Sequence, residues 1–107
     1  MTELYHPSNL HLSDVLYALA DPSRLKLVRE LAQETEIAST GFRSVKAARG
    51  TIAFHLKTLR LAGLTLTRLD GTKRLISLRR DMVDASFPGL LDAVLAGSTP
   101  ANPGAQA

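Results

Sequence analysis

Two alternating runs, Leu64-Thr65-Leu66-Thr67-Arg68-Leu69 and Thr72 to Leu78, stand on either side of Asp70-Gly71 and constrain the chain more than any other feature. Successive side chains of a strand point to opposite faces, so alternation marks a half-buried strand. Asp-Gly between two such runs is a strong local signal for a β-hairpin. Immediately before the hairpin, Ile52, Leu56 and Leu59 recur at helical spacing, Ala48 and Ala62 extend that face, and Gly63 follows. A helix from about Ala48 to Ala62 is predicted, ended by a glycine free to take the left-handed conformation.

The N-terminal half reads as helical. Leu12, Val15, Leu16 and Leu19 fall at i, i+3, i+4 and i+7, which predicts an amphipathic helix over residues 10–20. Asp21-Pro22-Ser23 interrupts it and starts another: Asp21 can cap, and Pro22 sits in a first turn where its missing N–H costs nothing. The second helix is expected from Pro22 to about Gln33, with Leu25, Val28, Leu31 and Ala32 inward. Glu34 to Ile37 is a short connection with room for a residue or two of strand. Residues 38–47 are weakly patterned and are read as one or two helical turns. A final helix is expected over 81–96, where Pro88 limits the start of its regular part. In domain terms, 1–9 is an arm, 10–96 a single folded unit and 97–107, rich in Pro and Gly, a disordered tail.

The charge is segregated. Ten basic residues lie between 38 and 80, opposed only by Asp70, a local balance of +9. The rest holds three basic and nine acidic residues, a balance of −6, so the chain's net +3 is a sum of opposites. A block of nearly unopposed cations suggests a polyanion partner. Nucleic acid is favoured over membrane, because no strongly amphipathic helix rich in exposed aromatics accompanies the block. The chain has no cysteine, which excludes disulfides, thiolate metal sites and a cysteine nucleophile within it. No apolar run approaches the roughly 20 residues of a membrane span, and no signal-peptide pattern opens the sequence, so a cytoplasmic protein is expected.

Three helices, a hairpin and a last helix describe a mainly α winged helix-turn-helix, in which one helix enters the major groove and the hairpin flanks it. The basic block covers those very pieces. At this level the sequence resembles the ArsR/SmtB-type winged helix-turn-helix transcriptional regulators. Ala18-Leu19-Ala20-Asp21-Pro22-Ser23-Arg24-Leu25 is similar to that family's first helix junction. Residues Thr51 to Leu64 (TIAFHLKTLRLAGL) resemble its recognition segment, and Asp70-Gly71-Thr72-Lys73-Arg74 with Leu75 to Leu78 resembles its wing. The resemblance implies a homodimeric repressor that dimerises through its first and last helices, with Leu12, Leu16, Leu90, Leu91, Val94 and Leu95 at the interface. Such a dimer binds an imperfect palindrome of double-stranded DNA.

On the expected recognition helix, Arg49, Gly50, Ala53, Phe54 and Lys57 remain outward once the inner face is assigned. Arg49 can bind guanine bidentately or hold a phosphate. Thr51 can meet a phosphate or a thymine methyl, or cap the helix. Phe54, where the family usually has a polar or basic residue, either contacts thymine methyls or packs against the hairpin or the second helix. His55 is either a hydrogen-bonded structural residue or a phosphate donor. Arg43 and Lys46 are read as phosphate contacts on the approach, and Arg68, Gly71, Thr72, Lys73 and Arg74 as the wing's DNA contacts. Arg79 flanks the strands, and Arg80 can serve the last helix instead.

The family's metal-sensing patterns are missing: there is no cysteine, and the last helix has Asp81, Asp84 and Asp92 but no histidine. His6 and His11 make only a weak pair, so no metal or cofactor is expected, while an organic inducer in the dimer interface, or no ligand at all, stays open. An enzyme would need an activated nucleophile, an acid–base pair or a phosphate-cradling glycine loop, and no such set is recognisable. The competing reading is a winged-helix protein-interaction module that dimerises without reading DNA, against which the +9 block argues. RNA is disfavoured by the scarcity of exposed aromatics for base stacking.

Overall fold

A computed structural model describes residues 2–97. In chain order the elements are β1 (Thr2–Glu3), α1 (Leu12–Leu19), α2 (Pro22–Leu31), β2 (Ile37–Ala38), α3 (Arg49–Leu61), β3 (Thr65–Asp70), β4 (Lys73–Leu78), α4 (Arg80–Ser86) and α5 (Leu90–Gly97). The expected tail lies, from residue 98 onward, outside the described residues.

The helix and the hairpin after it form where the sequence predicts, but the turn falls one residue later than the expected Asp70-Gly71, because Asp70 pairs with Lys73. β3 and β4 pair antiparallel from Thr65↔Leu78 to Asp70↔Lys73, leaving Gly71 and Thr72 as a two-residue turn. Gly71 has φ +63° and Thr72 does not share the positive φ, the pattern of a type II′ turn with glycine first. α3 ends in a Schellman motif: Leu64 N–H donates to the Leu59 carbonyl and Gly63 N–H to the Arg60 carbonyl, each at 3.0 Å. Gly63, at φ +89°, is the left-handed residue that closes it.

The sheet is larger than a hairpin. Its order is β1-β3-β4-β2, all antiparallel, with Thr2↔Leu69 on one edge and Ile37↔Ile76 on the other. The N-terminal arm, expected to be without regular structure, supplies β1, and Leu4 N–H extends its pairing by donating to the Thr67 carbonyl at 2.9 Å. A two-residue strand carries too little pattern to be read from sequence; its pairing comes from the edge of β3.

Two helical expectations are corrected. Residues 38–47 are not helical, because their backbone donors are claimed elsewhere. Ser39 N–H donates to the Arg74 carbonyl, Gly41 N–H to the Ala38 carbonyl, and the amides of Arg43 and Ser44 to the Glu30 carboxylate. The expected last helix is two helices. Pro88 disfavours helical backbone in the residue before it, and Phe87 adopts φ −137°, after which Gly89 turns at φ +82°.

The core is built from Val15, Ala18 and Leu19 of α1, Leu27, Val28 and Leu31 of α2, Leu56 and Leu59 of α3, then Leu64, Ile76, Val83 and Leu91. On α1 the apolar residues split into two stripes. Val15 and Leu19 are buried, but Leu12 and Leu16 are 46% and 47% exposed. On α2 the inward face includes Leu27 and, against expectation, Arg24, while Leu25 is only half-buried.

Glycines 63 and 71 test this account of the hairpin. A Cβ at position 71 meets nothing within 4 Å, so Gly71→Ala carries only the left-handed backbone penalty, about 1–2 kcal/mol. At position 63 the same atom falls 2.0 Å from Leu10 Cδ2. Gly63→Ala is therefore expected to lower the thermal midpoint further than Gly71→Ala, whose expected shift is of order 4–8 °C or somewhat more. Equal shifts in a paired calorimetric comparison would contradict the packing of the arm against Gly63.

Candidate nucleic-acid interface

The fold sorts the ten cations of the basic block into two groups. Arg60, Arg68, Arg79 and Arg80 are spent on the protein itself. Arg60 donates to the Tyr5 carbonyl, and Arg79 Nη1 to the carbonyls of Pro7 (2.9 Å) and Gly63 (3.0 Å), so the arm is tied to the end of α3. Arg80 pairs with Asp84 and Asp92, joining α4 to α5. The other six, Arg43, Lys46, Arg49, Lys57, Lys73 and Arg74, are exposed. Among the described residues, none of Lys46, Arg49, Lys57, Lys73 and Arg74 forms a salt bridge.

Arg68 differs from its expected wing role. Strand alternation puts Thr65, Thr67, Ile76 and Ile37 on the helix-covered face and Arg68, with Glu36 beyond the neighbouring strands, on the other. There Arg68 meets Glu36 in a two-point ion pair, Nε to Oε2 at 2.6 Å and Nη2 to Oε1 at 2.9 Å. The hydrogen bond from Arg68 holds the Glu36 carboxyl below its usual range, and the same contact raises the guanidinium. Arg68 thus braces the base of the wing.

The alternation also separates the two wing-tip cations. Arg74 shares the face of Ile76, toward α3, whereas Lys73 takes the opposite face with Asp70 across from it. Arg74 consequently borders a cleft of about 460 Å³ between the hairpin, the 39–47 loop and the start of α3. Phe42, Val45, Ile52 and Leu56 line its apolar part, and Lys46, Arg49 and Arg74 supply its charge. One concave, basic surface therefore runs from the approach loop across the first turns of α3 to the hairpin.

Glu30 positions that loop. Its carboxylate accepts from the backbone N–H of Arg43 (2.9 Å) and of Ser44 (3.0 Å), pinning the non-helical connection to α2. Burial raises its pKa, but these hydrogen bonds and the nearby Arg43 charge outweigh burial and leave it lowered. The N-cap of α3, Ala48, makes no side-chain bond to the first-turn amides. Thr51 does not cap either; it is exposed within the first turn, beside the equally exposed Gly50 and Ala53. The helix start thus presents amides and partial positive charge to solvent.

Phe54 is 59% exposed, and its ring lies beside that of His55, 5.8 Å between centroids. His55 is half-buried, with Nδ1 3.1 Å from Arg24 Nη1. Arg24, which sequence reasoning left unassigned, is only 6% exposed. Its burial was foreshadowed by a helical spacing shared with Leu27, Val28 and Leu31. Of the expected interface residues on the outer helices, Leu91 is wholly buried in the chain's own core, and Leu90, Val94 and Leu95 are partly buried around it. Among the described residues no group of three or more histidines and carboxylates is gathered in one place.

No family model matches the chain. It is similar to the uncharacterized HTH-type transcriptional regulator YceK of Bacillus subtilis (strain 168), with 37% identity over 84 residues, covering 77% of this chain and 84% of that protein.

The three lowered carboxylates make stability pH-dependent with a defined sign. Asp21 is lowered chiefly by the Arg24 amide, Glu30 and Glu36 as described above. Each binds a proton more readily unfolded than folded, so its contribution is complete above the ordinary carboxylate range and is lost as pH falls through the lowered folded values. The thermal midpoint is expected to drop below about pH 4, and Glu30→Ala should flatten that drop. Asp21→Ala, which removes the α2 cap, is expected to cost about 1 kcal/mol at neutral pH. A flat midpoint from pH 6 to 3 would contradict these assignments.

Proposed function

The chain belongs to the HTH-type transcriptional regulators, and from that membership we propose that it is a sequence-selective DNA-binding repressor acting as a homodimer on an imperfect palindrome. The observation that carries this reading is the sorting of the cations. Four are consumed by the fold, and the remainder lie on the approach loop, the first turns of α3 and the wing tip. A face of that kind fits a duplex: α3 enters the major groove by its N-terminal half, and the hairpin lies along the flanking backbone.

Within this reading, Arg49, Gly50, Thr51, Ala53 and Phe54 face base edges. Arg49 reads guanine, and Phe54 offers an apolar surface to thymine methyls. Arg43, Lys46, Lys57, Lys73 and Arg74 neutralise phosphates, and Gly71 and Thr72 bring the wing backbone close. The likeness to the ArsR/SmtB-type regulators supports repression, a cytoplasmic setting and dimerisation through the outer helices. The exposed stripe of Leu12 and Leu16 on α1 supports the same interface. With no cysteine in the chain, the signal is not sensed by thiolate metal chemistry; an organic inducer suits it better.

Binding to the gene's own upstream DNA and to scrambled duplex, each over a salt series, tests the proposal. Arg49→Ala is expected to cost about 1–3 kcal/mol on the operator and to relax base preference, while Lys73→Ala weakens all sequences alike and lowers the salt slope by about 1. Wild-type protein that binds neither duplex would favour a protein-interaction module instead. Sedimentation of Leu16→Glu is expected to give monomers where the wild type gives dimers; an unchanged dimer would place the interface elsewhere.

A further inference from the structure

We infer that Arg24 is a positioning residue that fixes His55 as the neutral Nε2–H tautomer, so that α3 offers an uncharged hydrogen-bond donor to a backbone phosphate. The inference rests on the DNA-binding reading above and adds to it a residue that does not touch DNA. Three contacts hold Arg24 in place. Its Nε donates to the Ala18 carbonyl at the end of α1 (2.7 Å), its guanidinium carbon lies 5.5 Å from the centre of the Tyr17 ring, and its own amide is capped by Asp21 (3.1 Å). The remaining reach, Nη1, ends 3.1 Å from His55 Nδ1.

Arginine has donors and no acceptor, so at this contact Nδ1 must supply a lone pair. That leaves the ring proton on Nε2, at the other edge of the imidazole and directed away from Arg24. Among the described residues Nε2 has no hydrogen-bond partner, yet it is absent from the buried unpartnered atoms, so solvent reaches it. It lies on α3 between Phe54, which is largely exposed, and Leu56, which is buried. A solvent-reached donor N–H of fixed direction on the helix suits a phosphate oxygen. Because the donor is neutral, it displaces no counterion, unlike Lys57 two residues on.

Histidine ¹⁵N spectra of the full-length protein, together with duplex affinities over a salt series, test this. In the wild type the His55 Nδ1 resonance is expected at the lone-pair position and Nε2 at the N–H position; Arg24→Met should redistribute the ring proton. His55→Ala is expected to weaken binding about tenfold, the scale of one hydrogen bond to a charged group, with the salt slope unchanged, whereas Lys57→Ala lowers the slope by about 0.9. His55→Gln, whose amide nitrogen can take the place of Nε2, should bind close to wild type, and His55→Asn should resemble His55→Ala. Arg24→Met should weaken the wild type but not the His55→Gln background.

An Nδ1–H or doubly protonated His55 in the wild type overturns the proposal, as does Arg24→Met that leaves both tautomer and affinity unmoved. If Arg24→Met and Arg24→Lys fail to fold, the Gln and Asn variants decide, and Asn outperforming Gln overturns it. Wild-type protein that binds no duplex removes the DNA reading and the proposal with it. Wild-type binding that is indifferent to His55→Ala removes the proposal alone.

Discussion

A guanidinium taken out of water must find acceptors for its donors, and Arg24 meets that demand by joining three helices. Its amide, capped by Asp21, and its bond to Ala18 tie the start of α2 to the end of α1, and its contact with His55 reaches α3. An isolated buried charge costs several kcal/mol, so the arrangement of these partners is strongly favoured over alternatives that leave the cation unsatisfied. The junction Asp21-Pro22-Ser23-Arg24 thus does two jobs: it starts a helix and supplies the residue that sets the next one in place.

The same economy of charge shapes the wing and the arm. Arg60 and Arg79 donate to arm carbonyls, Arg68 is neutralised by Glu36 at the hairpin base, and Arg80 binds the two terminal helices together. Long basic side chains with a carbonyl or carboxylate partner are held, while those without one stay in solvent and keep their full field. The basic face is therefore a remainder, made mostly of cations that form no salt bridge among the described residues. That remainder is concave because the approach loop, pinned by Glu30, and the inward-facing Arg74 rise on either side of the first turns of α3.

Much of this was legible without coordinates. The α3 stripe of Ile52, Leu56 and Leu59, the glycine that ends it, and the two alternating runs depend on local periodicity and local backbone chemistry, and they formed where expected. The helix proposed for 38–47 failed because its amides bond to a carboxylate and a carbonyl distant in sequence, and no local pattern encodes that. The two-residue β1 escaped notice for the same reason. Arg68 and Arg74 looked equivalent in a list of basic residues, yet their places in the register put them on opposite faces of the sheet.

The sequence by itself determined the first two helices, α3 and its closure at Gly63, the two strands of the hairpin and the segregation of charge, because each follows from interactions a few residues apart or from composition. Only the tertiary structure decided which cations remain available, that Phe54 stands in solvent, that Leu91 belongs to the core, and that Arg24 meets His55 across thirty-one positions of chain. Those outcomes depend on which partners packing brings within hydrogen-bond distance, and distance through space is a quantity that residue spacing along the chain does not carry.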